Sequence, residues 1–235
     1  MKVFINPGHS KNCIPDPGCC YNDIKEAQIC YEIGCFLADE LLKRNIPCTV
    51  YQQQGNLTAN QQLNTVAKEA NKSGADLFLS IHMNAAVNDV ANGTEAWYQK
   101  GSTNGKKFAQ IINKHMAKSF GSVTLQNRGT KEADGTLAVL RDTSMPACLV
   151  EVCFISNKKD ADFVKINCKN VAERLANAIC EYYGVNTSAK SDYQQTFKMV
   201  HVEDDKYDLY VDGKMILAAN KFSTCIDYLE KYYGV

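Results

Sequence analysis

Three short apolar runs, each carrying a histidine or a glutamate at or near its end, constrain the fold of this chain more than any other feature. The first occupies residues 3–5 and is followed by His9, and the other two carry His82 and Glu151. Short apolar runs bounded by turn residues are typical of buried strands. Ligands bind at the carboxyl edge of open α/β sheets, so these three side chains are predicted to lie at one such edge.

Strand patterns alternate with amphipathic helical patterns over the first 184 residues. Helices are predicted at residues 22–44, 58–72, 104–120 and 158–183, and strands at residues 3–5, 47–51, 76–81, 93–99, 137–140 and 147–154. This alternation predicts an α/β fold with a doubly wound, mostly parallel sheet and helices on both faces. The strand at residues 93–99, which carries the only tryptophan, is expected to be an edge strand.

The remainder of the chain has a different pattern. Residues 1–184 are predicted to form one domain, residues 185–193 are small and polar like a linker, and residues 194–235 form a small α+β module. Within that module, strands are predicted at residues 197–202, 207–211 and 215–219, with a hairpin at residues 212–214 and a helix at residues 222–232. A module of this size buries little core alone, so we expect it to dock on the first domain or to form a homodimer.

Composition narrows the classes of partner. The formal net charge is zero and 22% of residues are charged, so nothing indicates a nucleic-acid partner or a stable membrane association. The N-terminus lacks a signal-peptide pattern, and the 11 cysteines include no CxxC pair. Free thiols in apolar runs are typical of a reducing compartment. We therefore expect synthesis in the cytoplasm.

Glu151 is the most informative single residue, because it interrupts an otherwise apolar strand in a sheet covered on both faces. An unpaired carboxylate buried there costs several kcal/mol, on the order of the usual penalty for burying a polar group. Two interpretations stay open from the sequence. Glu151 forms an ion pair with a lysine or arginine, or it is a catalytic carboxylate that faces a cation.

His9 and His82 are candidate metal ligands, since both follow parallel strands at the same predicted edge. Glu26 can join them because the loop after His9 leads directly into its helix. On the spacing of Asp23 and Glu26 alone, a capping box with Asp23 as N-cap is favoured over a metal ligand. Two histidines and one glutamate around an open position form a known catalytic zinc arrangement, in which a further carboxylate such as Glu151 serves as base.

Five segments together resemble the zinc-dependent N-acetylmuramoyl-L-alanine amidases of the third amidase type. They are Ile-Asn-Pro-Gly-His at residues 5–9, Asp-Pro-Gly at 16–18, Gly-Ala-Asp-Leu-Phe-Leu-Ser-Ile-His-Met-Asn-Ala at 74–85, Asn-Arg-Gly at 127–129 and Met-Pro-Ala-Cys-Leu-Val-Glu-Val-Cys-Phe-Ile-Ser-Asn at 145–157. With Glu26 opening a helix, the resemblance covers about residues 1–184 in order. It departs from the family at Asn6, where an aspartate is usual, and at Cys153, where a glycine is usual.

The resemblance implies a doubly wound fold related to zinc carboxypeptidases. It implies cleavage of the amide between N-acetylmuramic acid and L-alanine in peptidoglycan, with Zn²⁺ as cofactor. The implied zinc ligands are His9, Glu26 and His82, and the implied catalytic residue is Glu151.

Two further residues match positions of the family, and the resemblance implies that they bind substrate or hold the metal ligands in place. Asn84 follows His82 by two residues and is implied to orient the site. Arg128 is implied to contact substrate, although a solvated arginine fits the sequence equally well.

Three functions stay open from the sequence. The first is a phage or prophage endolysin, which the lack of a signal-peptide pattern and the small C-terminal module favour. Such an enzyme would be stored in the cytoplasm, released at lysis and active on the cell wall, and the module would bind the cell wall or pair two chains. The second is a non-catalytic muropeptide-binding protein with the same fold. The third is a zinc carboxypeptidase-like peptidase, for which Arg128 or Arg141 would have to bind the substrate carboxylate.

Overall fold

The computed structural model describes residues 1–53, 57–185, 197–203, 206–211 and 214–219. Contacts between Cα atoms divide the chain into two units, Met1–Ser191 and Asp192–Val235. Within the part of the chain described, no helix combines the length and the apolar character needed to cross a bilayer.

The first unit alternates strands and helices along the chain. Its elements are β1 Val3–Pro7, β2 Cys20–Tyr21, β3 Ile24–Lys25, α1 Glu26–Leu42, β4 Cys48–Val50, α2 Ala59–Lys72, β5 Leu77–Asn84, β6 Thr94–Gln99, α3 Thr103–Met116, β7 Asn127–Ala133, α4 Ala138–Arg141, β8 Ala147–Phe154 and α5 Lys158–Tyr183.

Six strands form the central sheet in the order β4-β1-β5-β8-β6-β7. The first four are parallel, β6 is antiparallel to β8, and β7 is parallel to β6. The predicted mostly parallel sheet is therefore confirmed. The prediction that β6 is an edge strand is wrong, because β7 covers its outer side.

Helices cover both faces of the sheet. Phe4 and Phe78 are buried in a cluster that includes Val66 of α2 and Leu140 of α4. The next residue of β1, Ile5, points to the opposite face, where it lies beside Gly34 of α1.

One predicted strand is a helix, and one strand of the central sheet was not predicted. Residues 137–140 lie at helix α4, where Val139 and Leu140 are buried in the core cluster. Four apolar residues do not distinguish a strand from one helical turn. Strand β7 lacks apolar alternation because, as the edge strand, it is mostly half-buried.

The first helix begins at Glu26, four residues after the predicted start. Residues 20–21 and 24–25 instead pair as a two-stranded ribbon. The predicted capping box is wrong: Lys25 is the N-cap, no side chain caps the helix, and Asp23 forms an ion pair with Lys165 at 2.9 Å. The Glu26 carboxylate is thereby free of a capping role.

In the second unit, β9 Phe197–Glu203, β10 Lys206–Val211 and β11 Lys214–Ala219 form an antiparallel sheet in the order β11-β10-β9. The three strands lie at the predicted positions, within one residue at each end. The turn predicted at residues 212–214 falls partly, and the helix predicted at residues 222–232 entirely, outside the described residues.

Candidate metal centre

His9, Glu26 and His82 meet at the carboxyl edge of the parallel strands. His9 follows β1, Glu26 opens α1, and His82 lies within β5, which extends past the predicted end to Asn84. One ligand atom from each of the three residues lies within 4.8 Å of the other two. Glu26 Oε1 lies 2.8 Å from His9 Nε2 and 3.1 Å from His82 Nδ1.

The donor set fits a divalent cation. His9 Nε2 is buried and makes no hydrogen bond, although it lies 2.8 Å from Glu26 Oε1. A buried polar atom without a hydrogen bond is costly unless another partner satisfies it. Two imidazole nitrogens and a carboxylate oxygen are ligands that zinc accepts, so these three residues could hold that ion.

The charges within the group are strongly coupled. Burial of the His9 ring lowers its pKa, but the Glu26 and Asp16 carboxylates outweigh burial and raise this pKa to about 9. Burial raises the pKa of Glu26, but the adjacent imidazoles of His82 and His9 outweigh burial, so this pKa falls below its ordinary range. Without a metal, the site therefore holds the Glu26 carboxylate ionised and the His9 ring protonated at neutral pH.

Neighbouring groups fix two of the three side chains, those of His9 and Glu26, from outside. His9 Nδ1 lies 2.9 Å from Asp16 Oδ2, which orients the ring so that Nε2 faces Glu26. Backbone N–H groups of Cys19 and Met83 each donate to the Glu26 carboxylate at 2.9 Å, one to each oxygen. Sequence reasoning missed the role of Asp16, although its Asp-Pro-Gly turn was visible.

Two glycines allow the loops to approach the site closely. A Cβ atom on Gly8 would lie 2.4 Å from His82 Cε1, and one on Gly18 would lie 2.6 Å from His9 Cδ2. Gly18 also has φ +68°, a conformation that other residues rarely adopt. His9 itself has φ 64°, so the chain turns sharply just before and at this residue.

Glu151 lies beside this group in the adjacent strand, as the register partner of His82. Its Oε2 atom is buried and has no hydrogen-bond partner among residues 1–53 and 57–185. Burial is the main cause that raises the pKa of Glu151 to about 7. The alternative of an ion pair with lysine or arginine is wrong for the side chains that the structure describes.

A second carboxylate, Glu95, organises the other side of the same edge. It accepts hydrogen bonds from Asn84 Nδ2 at 3.0 Å and Trp97 Nε1 at 3.1 Å. It forms ion pairs with Arg128 Nε at 2.8 Å and Lys131 Nζ at 2.6 Å. Arg128 is thus not the freely solvated arginine of the alternative interpretation.

Sequence reasoning missed Glu95, although the signal resembled that of Glu151. Both are carboxylates inside strands that the sequence predicts, and Glu95 is the register partner of Glu151 in the neighbouring strand. Its partner Lys131 was missed because β7 was not predicted.

Comparisons with known proteins agree with this geometry. A profile of the family described as N-acetylmuramoyl-L-alanine amidase matches residues 3–182. The chain is 31% identical over 202 residues to N-acetylmuramoyl-L-alanine amidase CwlM of Bacillus licheniformis, covering 83% of this chain and 73% of that protein. It is 34% identical over 188 residues to the endolysin of Bacillus phage SPP1, covering 76% of this chain and 65% of the endolysin.

Solved structures agree as well. The crystal structure of N-acetylmuramoyl-L-alanine amidase from Clostridium difficile 630 superposes with a TM-score of 0.67 at 29% identity, covering 78% of this chain and 96% of that one. The chain therefore belongs to the N-acetylmuramoyl-L-alanine amidase family of enzymes.

Proposed function

We propose that this chain hydrolyses the amide bond between N-acetylmuramic acid and L-alanine in peptidoglycan, with zinc as its cofactor. The observation that carries the proposal is the meeting of His9, Glu26 and His82 beside Glu151, whose buried Oε2 atom has no hydrogen-bond partner among the described residues. The family match over residues 3–182 supports the choice of bond.

In this proposal His9, Glu26 and His82 hold the ion through one atom each. Zinc, when bound, supplies Lewis-acid polarisation of the scissile carbonyl and of water. Asp16 fixes the ring of His9 through Nδ1, and the Cys19 and Met83 amides fix the carboxylate of Glu26, so the ligands need little rearrangement.

Glu151 carries the proton in the proposed reaction. As a carboxylate it takes a proton from the attacking water, and as an acid it gives that proton to the nitrogen of the departing L-alanine. A pKa near neutrality suits both steps, because a group that titrates near the working pH accepts and releases protons efficiently. The partnerless Oε2 is available for the proton, since no neighbouring side chain occupies it.

The test is digestion of purified sacculi by Glu151→Gln and His82→Ala variants. Glu151→Gln keeps the size of the side chain and is expected to retain zinc while losing activity by a factor of about 10² to 10⁴. His82→Ala removes a ligand and is expected to lose both zinc and activity. Mass analysis should find released peptides with amino-terminal L-alanine, and chelator should abolish them.

Full hydrolysis by Glu151→Gln would contradict the assigned base. Wild-type protein that binds zinc and muropeptide but releases no peptides would favour the non-catalytic alternative. Release of single amino acids from the peptide's carboxyl end would favour the carboxypeptidase-like alternative.

We further propose that the enzyme acts as an endolysin. It would be made in the cytoplasm, released at phage or prophage lysis, and act on the cell wall. The 34% identity to the endolysin of Bacillus phage SPP1 supports this role. Residues 194–235 would then bind the cell wall or pair two chains as a homodimer.

A further inference from the structure

We propose that Arg128 and Lys131 form a subsite for a carboxylate on the peptide half of the substrate, on the residue that follows L-alanine. This inference rests on the proposed function and adds a preference among stem peptides. It predicts that the enzyme favours a free carboxylate at that residue over a carboxamide.

The cationic pair lies at the same edge of the sheet as the metal group. Strands β6 and β7 run opposite to β8, so their amino ends lie beside the carboxyl end of β8. Glu95, which holds the pair, is opposite Glu151 in register, and paired residues of neighbouring strands point to the same face. Glu95 is therefore one strand along the sheet from the proposed base, and the cationic pair on β7 is two strands along.

Among the described residues the pair has one carboxylate partner, so it retains one uncompensated positive charge. Arg128 and Lys131 share a single carboxylate oxygen, Oε2 of Glu95, whose side chain is only 2% exposed. Burial raises the pKa of Glu95, but bonds from Lys131 and Arg128 outweigh it and lower this pKa, so the carboxylate stays ionised. Two cations against one anion leave a net charge of +1 that faces solvent.

Both cations keep donors that can reach a ligand. Arg128 uses Nε for Glu95, and its Nη1 makes one long contact of 3.5 Å with the Asn92 carbonyl. Nη2 has no hydrogen bond within the described part of the chain. The side chains of Arg128 and Lys131 are 30% and 34% exposed, so a ligand can reach them from solvent.

Aromatic rings fix the two cations in place. The Arg128 guanidinium lies 4.7 Å from the centre of the Phe154 ring, and Lys131 Nζ lies 5.3 Å from that of Trp97. Together with Glu95, these rings restrict each side chain before substrate arrives. A preorganised cation loses less conformational entropy on binding than a mobile one, so the arrangement favours recognition over simple solvation.

The chemistry of the substrate indicates which group would dock. The lactyl carboxyl of N-acetylmuramic acid is consumed in the scissile amide, so the sugar offers no anion next to this bond. The peptide does, because L-alanine is followed by a glutamic acid whose α-carboxylate is either free or amidated. An arginine fork and a lysine match a carboxylate and gain much less from a carboxamide.

The test is competition between two muropeptides that differ only in a free carboxylate or a carboxamide at that residue. For the wild-type enzyme we expect kcat/KM to favour the acid by about ten- to hundredfold, as for a charge-assisted hydrogen bond. Arg128→Gln and Lys131→Gln should each reduce that ratio, and the double variant should bring it close to one. Lys100→Gln, which removes an exposed lysine at the other end of β6, should keep the wild-type ratio.

The salt dependence of the wild-type ratio provides a measurement that needs no variant. Partly exposed cations are screened by salt, so the preference should fall as ionic strength rises. A wild-type ratio near one, a preference for the carboxamide, or an undiminished ratio in a folded double variant would each overturn this inference alone. An enzyme that cuts neither muropeptide nor sacculi would overturn the proposed function as well.

Discussion

Replacement of Gly8 by alanine tests whether the loop after β1 sets the position of His82. The added Cβ would lie 2.4 Å from Cε1, 2.6 Å from Nδ1 and 2.6 Å from Nε2 of the His82 ring. Ordinary contacts of a Cβ atom are 3.4–4 Å, so the ring or the loop must move by about 1 Å. Metal ligands tolerate deviations of only about 0.2 Å.

The expected result is loss of metal binding with retention of the fold. Overpacking of this kind costs about 1–3 kcal/mol of stability, which a domain of this size can tolerate. Displacement of one ligand should lower zinc affinity by at least the factor of about 10 to 100 seen for outer-shell changes. Zinc titration against a chromophoric chelator measures the affinity, and urea unfolding of the metal-free protein measures the stability.

Gly105→Ala is the matched control, because its added Cβ would meet Ser102 Oγ at 2.7 Å near the start of α3, at the opposite end of the sheet. It should keep wild-type zinc affinity. A Gly8→Ala protein that binds zinc as tightly as this control would refute the reasoning.

Two further predictions concern protonation and stability. His9 has a pKa of about 9 without metal, so zinc binding at pH 7 should release about one proton, and zinc affinity should rise about tenfold per pH unit up to that pKa. Calorimetry in buffers of different ionisation enthalpy measures the number of protons released. Zinc binding at pH 7 without proton release would contradict the prediction. Asp160→Ala removes the acceptor of the Gly93 and Phe154 amides and should cost about 2–5 kcal/mol in urea unfolding. Asp162→Ala, which breaks an exposed ion pair with Lys158, should cost under about 1 kcal/mol of unfolding free energy. Equal losses of stability in the two variants would contradict the prediction.

The strand-borne part of the site was predictable from the sequence. His9, His82 and Glu151 stand out because a polar residue at the end of, or inside, an apolar run requires an explanation. Parallel strands then bring such residues to one edge. Glu26 was ambiguous on spacing, since a capping box competed, and its assignment depended on the family resemblance.

The rest of the site depends on information that local patterns lack. Strand β7 is an edge strand with polar residues, so no alternation marks it, and its cations could not be placed. Without β7, nothing in the sequence indicated that Glu95 has two partners. The contact between Asp16 and His9 depends on the path of a loop, which turn residues announce but do not specify.

The reversed direction of β6 and β7 separates the edge of the sheet into two halves with different origins. The half that carries the proposed metal ligands comes from segments where parallel strands end. The cationic half comes from segments where β6 and β7 begin, and both of these strands run opposite to β8. Residues 128–131 therefore lie on a peripheral strand that exchanges no hydrogen bonds with the strands bearing His82 and Glu151. On the proposed role of these residues, substitutions there should change which stem peptides the enzyme prefers and leave its proposed zinc ligands and base in place.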